Sequence, residues 1–157
     1  MPTIKGLAGQ LEGQFQSIIK TGVAPMPEEK FTFKPSKTAR SVSELTAHLA
    51  YSNYFFMGVM KGEPGKTEGW DEAQAAWEKQ NPCDTKANAT KAYQKSVADF
   101  LAYFKTLKDA DLMKPAKLPW RETNIAGVIM DNQWHLTYHL GQMAYIQTVI
   151  GDTVDHM

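Results

Sequence analysis

Three histidines carry the chemistry open to this chain. His135 and His139 stand four residues apart in the run Trp134-His135-Leu136-Thr137-Tyr138-His139-Leu140-Gly141-Gln142, and His48 lies far upstream beside Leu45 and Leu49. Four residues advance a helix by slightly more than one turn, so both imidazoles of the pair leave one face and can present two nitrogens to one metal ion. A third histidine from a packed neighbouring helix would leave a coordination position open, as metal sites that do chemistry require. Taken alone, His48 reads more readily as a hydrogen-bonded core residue than as a ligand, and the spaced pair is the stronger signal. Neutral imidazole suits Zn²⁺, Ni²⁺, Fe²⁺ or Cu²⁺ and disfavours Mg²⁺ or Ca²⁺.

The surroundings of the pair strengthen that reading. Asn132, His135, His139 and Gln142 follow one another at three- and four-residue steps, on a face where Ile or Leu would pack better. Burying such groups without partners costs roughly 1–3 kcal/mol each. A metal ion would satisfy the imidazoles, and Asn132 or Gln142 would then orient them. Asp131, one turn before His135, is a candidate acid beside the ligands, and a solvated role for it is at least as reasonable. The pair is not a zincin signature, because Leu136 stands where a glutamate base is needed. No Ser-His-acid or Cys-His arrangement is visible. Cys83, in Asn81-Pro82-Cys83-Asp84, has no basic neighbour and reads as an incidental thiol. His156, next to the last residue, is read as non-functional.

Helices must position these groups. Ile4, Leu7, Leu11, Phe15 and Ile18 mark a first helix, with Gly22 as its expected cap. Breakers at Pro25, Pro27 and Pro35 follow. Ser41-Val42-Ser43-Glu44 has the spacing of a capping box and opens a second helix carrying His48, which Gly62, Pro64 and Gly65 should end. Residues 70–79 read as a short helix with Trp70, Ala73 and Trp77 on one side. A longer helix opens at Thr85 or Asn88 and buries Tyr93, Val97, Phe100, Phe104 and Leu107. Residues 109–123 read as a connector without regular structure, long enough to line or cover a site. The last helix spans about 124–150. Tyr51, Tyr54, Phe55 and Phe56 exceed what one inward stripe absorbs, which leaves some for a subunit interface. Met57, Met60, Met130 and Met143 read as gap-filling core residues. The expected fold is all-α: a four-helix bundle with a short extra helix and long connecting loops, one domain over residues 1–157.

Whole-chain properties narrow the function. The 157 residues hold 17 Lys+Arg and 17 Asp+Glu, so the formal net charge is zero and no basic footprint for nucleic acid exists. Zero charge also opposes self-association little, so a homodimer is expected. Lys5, Gln10, Glu12 and Gln14 interrupt any signal-peptide pattern, no apolar run approaches a membrane span, and a cytoplasmic protein is expected.

Ser43-Glu44-Leu45-Thr46-Ala47-His48-Leu49-Ala50, followed much later by His135-x-x-x-His139-Leu140-Gly141-Gln142, resembles the DinB-like superfamily across nearly the whole chain. The segment Phe31-x-Phe33-Lys34-Pro35 leading to Arg40-Ser41-Val42 is similar to members of the group as well. The resemblance implies a four-helix bundle, a metal triad of His48, His135 and His139, and frequent dimers. It also implies relatives that are thiol-dependent S-transferases, including a glutathione- or mycothiol-dependent maleylpyruvate isomerase. One departure is Leu140, where the family often has arginine. The expected function is therefore a divalent-metal enzyme, with Zn, Ni or Fe activating water or a low-molecular-weight thiol for hydrolysis or S-transfer on a small molecule. The competing expectation is a non-catalytic bundle, metal-binding or stress-related, that acts on a protein partner.

Overall fold

A computed structural model describes residues 3–63 and 68–156. Apolar residues at helical spacing build its long helices. Helix α1 (Ile4–Ser17) starts at Thr3, whose side-chain oxygen accepts the Gly6 N–H, and buries Leu11 and Phe15. The backbone does not stop at Gly22 as expected. It widens into a π-helical turn, Ile18–Val23, in which Gly22 is buried. A Cβ at Gly22 would lie 2.5 Å from Met143 Sδ, so glycine is needed there for close helix approach and not for a left-handed cap. The widened turn frees carbonyls. Buried Gln147 answers them, donating to the carbonyls of Thr21 and Gly22 at 2.8 and 3.0 Å.

Helix α2 (Val42–Met60) opens with the expected capping box: Ser41 accepts the Glu44 N–H, and the Glu44 carboxylate accepts the Ser41 N–H. Gly62, at φ +90°, ends it, while Pro64 and Gly65 lie outside the described residues. Helix α3 (Trp70–Gln80) is short. Helix α4 (Lys86–Phe104) is capped by Thr85, and α5 (Ile125–Val149) by Asn124, each accepting a backbone N–H with its side chain.

The connector before α5 is more ordered than expected. It holds a 3₁₀ turn, Asp109–Met113, and a hairpin of β1 (Pro115–Leu118) and β2 (Arg121–Asn124). The strands pair antiparallel with Leu118 opposite Arg121, which leaves Pro119 and Trp120 as the turn. Four-residue strands offer too few alternations to register as a period.

Helix α2 packs against α4 and α5, and α1 contacts the same two, closing a four-helix bundle. The core joins Leu11, Phe15, Leu49, Phe100, Phe104 and Met143 among others. Phe100 is edge-on to Phe15 at 5.5 Å and stacked on Phe104 at 6.3 Å. Phe100→Ala is therefore expected to cost about 3–5 kcal/mol of stability. Urea unfolding checks this, and a loss under about 1 kcal/mol would mean that this layer does not hold the bundle together.

One expectation about a side chain needs correction. Met60 and Met143 are buried and Met57 packs on the core, but Met130 is 63% exposed because it lies next to, not on, the inward stripe of Ile129 and Asn132. The surplus aromatics of α2 are partly covered within the chain. Trp70 and Trp77 of α3 lie against Tyr51, Trp77 against Tyr54, and Trp70 and the hairpin's Trp120 against Phe55. Among the described residues no helix is long and apolar enough to cross a membrane.

Candidate metal centre

Packing of α2 on α5 brings the three histidines together. His48 Nε2 lies 3.0 Å from His135 Nε2, which lies 3.1 Å from His139 Nε2. One ring nitrogen from each falls within 4.8 Å of the others, an arrangement able to hold a metal ion. Metal–nitrogen bonds of about 2.0–2.1 Å put neighbouring ligand nitrogens about 2.9–3.4 Å apart, so the observed spacing fits one ion. His48 and His139 are buried and His135 partly so.

Hydrogen bonding fixes which nitrogens offer lone pairs. Trp70 Nε1 can only donate, and it donates to Gln74 Oε1 at 3.0 Å. The Gln74 amide nitrogen donates to Glu78 at 2.7 Å. Both contacts orient the amide with Oε1 toward His48 Nδ1, 3.2 Å away. His48 Nδ1 must therefore carry the proton, and its Nε2 turns a lone pair toward the other rings. His139 Nδ1, 2.7 Å from Gln142 Oε1, follows the same logic. A proton on His135 Nε2 can serve one of these two lone pairs but not both. His135 Nδ1 is buried with no hydrogen-bond partner. A cluster of neutral imidazoles with an unmet lone pair is the donor set a divalent transition metal satisfies.

Electrostatics keep the rings in that ligating form. Burial, then the Arg40 charge, lowers His48 to a pKa of about 4. Burial, then the charges of His139, His48 and Arg40, lowers His135 to about 3. His139 is lowered by burial and by Arg40, with the Gln142 hydrogen bond acting the other way.

The partners foreseen from sequence divide. Gln142 orients a histidine as expected. Asn132 is fully buried, yet neither its amide nitrogen nor its oxygen has a partner. Asp131 turns away from the histidines, accepting from Arg121 at 2.7 Å and from Trp120 at 3.3 Å, so it anchors the hairpin. It lies one residue off the inward face, which explains the difference. Cys83 is buried, and burial followed by the charges of Glu78 and Asp84 pushes its thiol up to about 12, which suits an unreactive side chain. His156 pairs locally with Asp152 at 2.8 Å.

Gln74 is the residue sequence reasoning missed. The inward side of α3 is Trp70, Gln74 and Trp77, whereas Ala73 is exposed. A glutamine between two tryptophans at helical spacing was the available signal. Gln74→Leu is expected to weaken zinc binding about 10-fold or more, because losing such an orienting partner typically costs 10–100-fold. Calorimetric titration checks this, and unchanged affinity would remove Gln74 from the site.

A family model described as DinB superfamily matches residues 10–143. The chain belongs to the DinB superfamily. Solved structures of similar fold include a DinB-like protein from Bacillus cereus, at 17% identity and a TM-score of 0.76, covering 98% of this chain and 96% of that one. A DinB-like protein from Bacillus subtilis aligns at 15% identity and a TM-score of 0.68, covering 95% and 94%. A Streptococcus pneumoniae protein aligns at 12% identity and a TM-score of 0.72, covering 96% and 93%. None of the curated proteins matches the chain. At these identities the likeness speaks for the fold of this DinB-superfamily chain and not for its reaction.

A cavity of about 860 Å³ lies between the segment before α2 and helix α5 of this DinB-superfamily chain, and none of the three histidines forms its wall. Its walls include Arg40, Leu45, Tyr138, Gln142, Tyr145 and Ile146. Gln142 is shared with the site through His139, and Leu45 lies one turn before His48.

Proposed function

We propose that this DinB-superfamily protein is a metal-dependent enzyme in which His48, His135 and His139 hold Zn, Ni or Fe. The observation that carries the reading is the convergence of three Nε2 atoms, two of them turned inward as lone pairs by Gln74 and Gln142. A divalent ion held by three imidazoles with positions left open supplies Lewis acidity toward water or a low-molecular-weight thiol. The chain's own groups orient the ligands, and the cavity walled in part by Gln142 would admit a small molecule. The reaction is hydrolysis or S-transfer.

The reading extends to one domain over residues 1–157, a cytoplasmic location and a homodimer. Met130, Trp134, Tyr138 and Tyr145 support self-association, since they form an exposed stripe along one side of α5. The same stripe favours the second reading, a non-catalytic metal-binding or stress-related bundle that docks a protein partner.

Metal analysis of protein purified without a histidine tag tests the first step. A transition metal should co-purify or bind with micromolar affinity or better, and its failure to do so would remove the basis of the enzyme reading. Zinc-loaded protein would then be offered electrophiles with glutathione, bacillithiol or mycothiol, and simple esters and amides. Turnover that His48→Ala abolishes supports the enzyme; silence across the panel with metal bound favours the interaction protein.

A further inference from the structure

We propose that Arg40 is the recognition group for a carboxylate on the substrate, which makes the substrate a small carboxylic acid with an apolar or aromatic body. The inference rests on the metal-centre reading above and adds the class of molecule the site takes. Arg40 is the one charged residue among those lining the 860 Å³ cavity. Its guanidinium makes no hydrogen bond or ion pair with the described residues, whereas neighbouring Lys34 is engaged by Glu44 at 2.6 Å.

The Arg40 charge is also felt at the histidines, where it contributes to lowering the proton affinity of all three rings. No carboxylate lines the cavity, and Glu44, one turn into α2, is engaged by Lys34. A divalent ion on three neutral imidazoles beside an unpaired guanidinium leaves an uncompensated positive site. Such a site draws an anion from solution. One planar fork matches the two oxygens of a carboxylate in a bidentate pair. The remaining walls suit the body of the molecule: Leu45 and Ile146 are apolar, and Tyr138 and Tyr145 offer exposed rings.

The test is calorimetric binding of 3-phenylpropionate, 4-phenylbutyrate and hexanoate, each beside its primary amide. Both metal-free and zinc-loaded protein are titrated, as wild type, Arg40→Gln and Arg40→Lys. Arg40 is exposed, so neither variant should alter the melting temperature. The acids are expected to bind at least about tenfold tighter than the amides in both forms, charge-assisted contacts to a guanidinium being the stronger kind. Arg40→Gln should erase that preference in metal-free protein, Arg40→Lys should restore part of it, and added salt should shrink it. Equal binding of acids and amides, a preference unchanged in Arg40→Gln, a preference confined to zinc-loaded protein, or no binding of any probe would each overturn the assignment. Zinc affinity is measured separately, so a site that fails to bind zinc sinks the metal reading while the metal-free arm still judges Arg40.

Discussion

Alanine at His135 is expected to weaken zinc binding by about two to three powers of ten while the protein stays folded. Structural zinc sites gain about 10–16 kcal/mol over four ligands, or about 2.5–4 kcal/mol for each, which sets that scale. His135 is the middle member of the cluster, with its Nε2 3.0 and 3.1 Å from the other two. Removing it leaves His48 and His139 on different helices with no bridging ligand. The fold should tolerate the change, because the ring is partly exposed and its buried Nδ1 already lacks a partner. Competition against a chromophoric chelator measures the loss, and circular dichroism reports the fold. An affinity within tenfold of wild type would place the metal elsewhere.

The clustering of the three histidines was legible because most of its determinants are local. His135 and His139 share a face through helix geometry alone, the Ser41 capping box fixes where α2 begins, and the apolar stripe of Leu45 and Leu49 sets His48 inward. Only the meeting of the two helices is non-local, and it follows from both polar interruptions lying on apolar stripes that must bury. What escaped reading depends on contacts without a sequence period. The Glu78–Gln74–His48 chain needs α3 to lie across α2, which nothing in α3 alone specifies. The hairpin at 115–124 was hidden by its shortness, and with it the reason Asp131 faces Arg121. The π-helical turn at Ile18–Val23 was invisible because Gly22 serves close packing on Met143, where a glycine near a helix end suggests a cap. Arg40 shows the reverse case: its position before the capping serine was plain, but its place as the one charged residue of the cavity wall appears only in the folded chain.

The second large effect couples the same three rings to pH. In the unfolded chain these histidines titrate near 6.5, whereas in the folded protein His48 titrates near 4, His135 near 3, and His139 below its ordinary value. Above pH 6.5 all are neutral in both states and contribute no pH dependence. As pH falls below 6.5 the unfolded chain takes up protons that the folded chain refuses, so metal-free protein should lose stability between about pH 6.5 and 4. Asp99 and Asp111, held below 3.8 by hydrogen bonds from Lys95 and Lys114, act in a lower window and do not obscure this slope. Replacing both His48 and His135 by alanine should flatten it. Metal binding should behave differently, because folded rings stay in the neutral, ligating form. Zinc at about a thousandfold excess over its dissociation constant stabilises by about 4 kcal/mol, on the order of 10 °C for a chain of this size. That shift should hold nearly level from pH 7.5 down to about 5.5, the range over which an exposed histidine pair becomes protonated. Thermal melts with and without zinc at both pH values measure it. A zinc shift that collapses on going from pH 7.5 to 6 would mean that the rings titrate as exposed imidazoles and that burial does not hold them ready for metal.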